Sequence, residues 1–217
     1  MDKIKRVENI DVTKLSSITI GFSGADLKNL VNQAAIIAVK ENALEVTSLH
    51  IQHAFSEILM GIKRPLLLEG KEKQLVAYHE GGHAVVSYFT AEAPNIYQAT
   101  ILPRGSALGV VQTIGEREHS ITKAQLLAQL DISYGGRIAE EIIFGKDDVT
   151  TGCSSDFQNS YNIAKNFVIQ AGLSNIGFVG IDKEEMGPAM KDLIDKEIEN
   201  VLEVCFFNQK LLYFKEF

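Results

Sequence analysis

Five consecutive residues carry the chemistry of this sequence: His79-Glu80-Gly81-Gly82-His83, an H-E-x-x-H string. On an α-helix, side chains four apart share one face a turn apart, so both imidazoles can reach one metal ion. The intervening glutamate then stands over the same ion, where it can take a proton from the attacking water and return it to a leaving amine. Zinc suits two neutral imidazoles and a carboxylate, with a fourth position open for water. The pattern therefore predicts a metallohydrolase.

The surrounding residues predict how the string is held. From Lys71 to Phe89 the chain reads as a helix, with Leu75, Val76, Tyr78, Val85, Val86 and Phe89 giving it apolar positions around the motif. Each glycine in such a helix costs about 1 kcal/mol against alanine. Glycines tolerated there mark close approach of another backbone. Gly81 and Gly82 both carry that expectation.

A catalytic zinc needs a third protein ligand, and the sequence offers several. Glu140 and Glu141 lie on a long helix after Gly135-Gly136, Asp156 opens the next helix, and Cys153 is a softer alternative. His119 sits among charged residues in an expected loop. A helix-terminal aspartate is short and rigid, which favours Asp156, but chemistry alone leaves it open against the two glutamates. His50 and His53 have a spacing that a metal could use, with no third ligand near them.

The elements that must position these groups form two compositional units meeting near Gly61–Gly70. In the first, Ser23 with Asp26 reads as a helix cap, followed by a stripe of Leu27, Leu30, Val31, Ala34, Ala35 and Ala38. A second helix starts near Thr47 or Ser48 and carries Ile51, Phe55, Ile58 and Leu59. A helical pair of some sixty residues is marginal alone and reads as part of something larger. The second unit starts with the motif helix. It continues through β-like stretches Ile96–Leu102 and Gly109–Ile114, flanking a Pro103-Arg104-Gly105 turn.

Thr122 with Gln125 reads as a capping box opening a helix through Leu126, Leu127, Leu130, Ile138 and Ile142 that ends at Gly145. Ser155 with Gln158 reads as another, opening a helix through Ile163, Phe167 and Val168. A last helix runs through Leu193, Ile194, Ile198, Val201 and Leu202, and the aromatic end from Phe206 to Phe217 reads as the first arm of a helical hairpin. The expected fold is mainly α with a small β-sheet.

Composition narrows the partners. The net charge is −7 over 217 residues, which disfavours a general nucleic-acid binder. Residues 1–64 hold eight basic and seven acidic side chains, leaving −8 on the remainder. Two cysteines, Cys153 and Cys205, are too few for a disulfide scaffold. No signal peptide is expected, and no apolar run approaches the ~20 residues that span a bilayer, so any membrane anchor is expected outside this sequence.

Five stretches resemble, in order, the FtsH family of membrane-anchored, ATP-dependent AAA zinc metalloproteases. They are Gly21-Phe22-Ser23-Gly24-Ala25-Asp26-Leu27, Tyr78-His79-Glu80-Gly81-Gly82-His83-Ala84, Ile101-Leu102-Pro103-Arg104-Gly105, Tyr134-Gly135-Gly136-Arg137-Ile138-Ala139-Glu140-Glu141 and Thr151-Gly152-Cys153-Ser154-Ser155-Asp156. The Thr-Thr-Gly-x-Ser-Ser-Asp-Phe wording and Leu126-Leu127-Ala128-Gln129 are most similar to the mitochondrial i-AAA branch, which faces the intermembrane space.

The resemblance implies that residues 1–64 are the helical lid of an AAA module and residues 65–217 a zinc metallopeptidase domain. It implies His79, His83 and Asp156 as zinc ligands, Glu80 as general base, and Glu140 and Glu141 as supporting or packing groups. It places Gly24 and Ala25 beside an adenine pocket. The phosphate-binding lysine loop, the magnesium-binding acidic pair and the pore loop have no counterpart here, so ATP and Mg2+ are expected only of the full-length protein. It further implies a hexameric ring, unfolded, misassembled or membrane-protein substrates, and a mitochondrial, plastid or bacterial inner membrane. The alternative is a non-catalytic, zinc-containing module that holds an AAA ring together; Glu80, which zinc binding does not require, counts against it. Two departures from the family stand out. Gly81 replaces the usual alanine or serine, and Cys153 replaces the usual alanine one turn before Asp156, which raises an expectation of oxidation sensitivity.

Overall fold

The computed structural model describes residues 10–61, 69–103, 108–114, 120–179 and 186–216. They fall into two compact units, one with the first three helices and one with the remaining four. His119, Arg104 and Gly105 lie outside the described residues.

The first unit holds α1 (Val12–Ile18), α2 (Gly24–Lys40) and α3 (Ser48–Met60). Its caps follow from its sequence. The backbone N–H of Asp26 donates to Ser23 Oγ at 3.3 Å, and that of Ser23 donates to Asp26 Oδ2 at 2.8 Å, a reciprocal box. Thr47 and His50 form a second box at α3, in which the Thr47 N–H donates to His50 Nδ1 at 3.0 Å. His50 Nε2–H then faces Glu41 at 3.2 Å, so this buried histidine is fully used as a cap. Helices α2 and α3 bury Leu30, Ala34 and Ala38 together with Ile51, Ala54 and Phe55. Leu27 and Leu59, expected on the buried faces, are exposed, and Ile37 is buried instead.

The second unit holds α4 (Gly70–Phe89), β1 (Asn95–Thr100), the middle residues Val111–Thr113 of β2 (Val110–Ile114), α5 (Lys123–Phe144), α6 (Ser154–Lys165) and α7 (Pro188–Glu216). β1 and β2 pair as a two-stranded sheet. The Thr122–Gln125 box opens α5, and Gly145, at φ 89°, closes it. The long α5 is central, packing against α4, α6 and α7. Leu130, Ile138, Val86 and Ile194 are wholly buried between them, each contributing about 1.5–3 kcal/mol of burial.

The Ser155–Gln158 box is not formed. Helix α6 starts at Ser154, continuous with a 3₁₀ turn over Thr151–Cys153 whose cap is Thr150. Ser155 is therefore already inside the helix. A π turn at Asn166–Gln170 follows α6 and carries Phe167 and Val168 into the core. Leu193 and Ile142, expected to be apolar core positions, are exposed. Residues from Phe206 to Glu216 continue α7 without a break. No described helix is long and apolar enough to cross a membrane.

Candidate metal centre

Helix α4 presents His79 and His83 on one face, with ring centroids 4.8 Å apart and planes at 78°. Their tautomers are fixed from behind. A carboxylate and a carbonyl can only accept, so His79 Nδ1–H donates to Glu140 Oε1 at 2.7 Å and His83 Nδ1–H to the Ile132 carbonyl at 2.7 Å. Both acceptors belong to α5. In the neutral rings each Nε2 is thus left with a bare lone pair, and the two lie 3.2 Å apart.

Asp156, near the start of α6, completes a triangle. Its Oδ2 lies 3.2 Å from His79 Nε2 and 3.5 Å from His83 Nε2. This oxygen is buried and, among the described residues, has no hydrogen-bond donor of its own. Three electron-pair donors converge with no proton between them in the neutral tautomers, an arrangement that suits a cation. The spacing also fits: tetrahedral bonds of ~2.0–2.1 Å to nitrogen and oxygen give edges of about 3.3–3.4 Å. Among the described residues this is the one cluster of three or more histidine, cysteine or acidic side chains able to hold a metal.

The electrostatics agree. Burial works to raise the Asp156 carboxyl, but His79 and His83 outweigh it and bring it down to about 2. For His79, burial works downward, while Asp156 and Glu140 outweigh it and shift the ring upward. A proton and a metal thus compete for the same Nε2. Glu80 moves upward chiefly through burial, with the two histidines offsetting part of the rise. A carboxyl raised this way is a better proton acceptor, as a general base requires.

Two glycine contacts let α4 and α5 approach so closely. A Cβ on Gly82 would fall on the carbonyl oxygen of Gly135, and one on Gly135 would stand 2.6 Å from the Gly82 oxygen. Gly81 is different: a Cβ there meets nothing within 4 Å. Only one of the two motif glycines therefore marks a backbone contact.

The remaining sequence candidates fall elsewhere. Glu140 is 0 % exposed and sits behind His79, on Nδ1 rather than Nε2. Glu141 pairs with Lys210 of α7 at 2.7 Å. Cys153 is buried, its thiol donates to the Thr150 carbonyl at 3.3 Å, and burial with the nearby Glu140 pushes its pKa up. A buried, protonated thiol is inert, so the expected oxidation sensitivity has no structural support. Gly24 and Ala25 form the exposed first turn of α2. Residue reasoning overlooked the Ile132 carbonyl, Gly136 and Thr150. Two adjacent glycines inside α5 were the available signal.

Comparisons with known proteins identify the family. The family described as Peptidase family M41 matches residues 66–212, and the AAA+ lid domain matches residues 9–53. The ATP-dependent zinc metalloprotease YME1L1 of Mus musculus is 42% identical over 214 residues, covering 97% of this chain and 30% of that protein. The mitochondrial inner membrane i-AAA protease supercomplex subunit YME1 of Saccharomyces cerevisiae is 41% identical over 208 residues, 94% of this chain and 28% of the relative. The ATP-dependent zinc metalloprotease FtsH of Rickettsia conorii is 40% identical over 216 residues, 93% and 34% respectively. The chain thus spans about a third or less of these relatives. With the M41 match running through both histidines and Asp156, the chain belongs to peptidase family M41.

Proposed function

We propose that this chain is the zinc-dependent endopeptidase part of an ATP-dependent, membrane-anchored protease, with residues 1–64 as AAA lid and 65–217 as peptidase domain. The observation that carries it is the convergence of His79 Nε2, His83 Nε2 and Asp156 Oδ2 within 3.5 Å of one another. These three would hold zinc, which when bound polarises the scissile carbonyl and acidifies water. Glu80 takes the proton of the attacking water and hands it to the leaving nitrogen. Glu140 and the Ile132 carbonyl hold the two imidazoles in the tautomer that frees Nε2.

The wider setting in this reading is a homo-oligomeric ring, hexameric in the resemblance, at a mitochondrial, plastid or bacterial inner membrane; the name of the Saccharomyces cerevisiae relative, a mitochondrial inner membrane protease subunit, supports the membrane setting. Unfolded or membrane proteins would be the substrates, delivered after ATP-driven unfolding. A substrate chain can add as a strand beside β1, where backbone hydrogen bonds hold it without strong sequence preference. Gly24 and Ala25 would border adenine in the complete AAA module, and ATP with Mg2+ would act there only.

Cleavage of an unfolded protein by the purified chain tests the reading. Activity should vanish with a chelator, return with stoichiometric zinc and ignore added ATP. Cleavage that survives complete removal of metal would refute it.

A further inference from the structure

Glu140 is fully buried, and among the described residues two donate hydrogen bonds to its carboxylate. One is His79 Nδ1–H on Oε1 at 2.7 Å. The other two come from Thr150 to Oε2: its backbone N–H at 2.8 Å and its hydroxyl at 3.1 Å. A buried carboxylate is costly unless donors satisfy it, and Thr150 supplies two of these three. The same residue shapes the path to Asp156. Its Oγ1 accepts the Gly152 N–H at 3.2 Å and its carbonyl accepts the Cys153 thiol at 3.3 Å, building the 3₁₀ turn that runs straight into α6.

We propose that Thr150 is a positioning residue of the metal centre, which through Glu140 sets the orientation of His79 and through its turn sets the place of Asp156. One side chain thereby couples the ligand on α4 to the ligand on α6. The inference rests on the metal-site reading above. It predicts that the hydroxyl of Thr150, which touches neither substrate nor metal, governs zinc affinity.

The test is zinc affinity of the full chain, measured by competition with a chromophoric chelator, for wild type, Thr150→Val, Thr150→Ser, Glu140→Gln and the double variant Thr150→Val/Glu140→Gln. Thr150→Val keeps shape and backbone N–H but loses the hydroxyl, and should weaken zinc about 10-fold, the low end for a supporting contact to a ligating histidine. Thr150→Ser should stay within about 3-fold of wild type, because it keeps the hydroxyl that supports the same bonds. In the Glu140→Gln background the valine should cost clearly less than the ~10-fold it costs alone, because the route through Glu140 is already broken and only the route through the turn to Asp156 remains. Melting of the metal-free chains checks the fold separately. Unchanged zinc affinity in Thr150→Val, or losses that multiply in the double variant, would overturn the proposal while leaving the zinc site intact. A wild-type chain that binds no zinc would overturn the metal-site reading and this proposal with it.

Discussion

The imidazole of His79 rests on the Cα of Gly136: a Cβ added at that glycine would stand 2.5 Å from Cε1 and 2.6 Å from Nδ1 of the ring. Real Cβ atoms do not approach so closely, so Gly136→Ala must push the ring away from Glu140 and from the Nε2 triangle. Zinc affinity should fall ~10–100-fold, as when a supporting contact to a ligating histidine is lost. Chelator competition measures it, with far-UV circular dichroism as the check on folding. Wild-type affinity in a folded Gly136→Ala would show that the ring has another seat.

The motif glycines should respond oppositely. Gly81→Ala adds a methyl to open space in a helix interior and should stabilise the chain by up to ~1 kcal/mol. Gly82→Ala drives a methyl into the Gly135 backbone and should cost ~1–3 kcal/mol or more. Urea denaturation of the two variants decides the matter, and equal effects would contradict the packing described.

Among the acidic candidates, Asp156→Asn should cost most of the bound zinc. Glu140→Gln should cost ~10–100-fold in affinity, because its amide sets an N–H2 against either His79 Nδ1–H or the Thr150 donors. Glu141→Gln should leave zinc unchanged, since its partner is Lys210. Metal content after dialysis ranks the three. Zinc kept by Asp156→Asn and lost by Glu141→Gln would reverse the assignment.

A half-buried carboxyl on α5, Asp131, gives a pH prediction. Burial raises Asp131 from 3.8 to about 6, with hydrogen bonds from Gln209 and Cys205 of α7 offsetting part of the rise. The folded chain therefore keeps a proton that the unfolded chain gives up, and the contribution present below pH ~4 is lost as pH rises through about 6. Asp131→Asn removes that dependence. Its urea midpoint relative to wild type should climb between pH 4 and 6.5 and level off above. A difference independent of pH would contradict a raised Asp131.

What the sequence disclosed divides by range. His79, Glu80 and His83 were legible because four-residue spacing on a helix is local geometry, and the caps at Ser23 and Thr122 were legible for the same reason. Asp156 was not separable from Glu140 by chemistry, because which carboxylate meets Nε2 and which meets Nδ1 depends on how α5 and α6 pack around α4. The false cap at Ser155 shows a local pattern overridden by a preceding turn that feeds the helix directly. Gly81 and Gly82 read alike in sequence, yet only Gly82 faces α5. Leu27, Ile142 and Leu193 fit helical stripes and still lie exposed, since periodicity finds a face without saying how far the burial extends.

The most direct measurement is hydrolysis by Glu80→Gln at matched zinc content. Glutamine keeps the shape of Glu80 but cannot accept the water's proton, and Glu80 is not among the three converging groups. The variant should bind zinc as wild type does and lose ~10²–10⁴-fold or more in cleavage rate. Near-normal cleavage with zinc bound would contradict Glu80 as general base, and with it the account of how this site breaks a peptide bond.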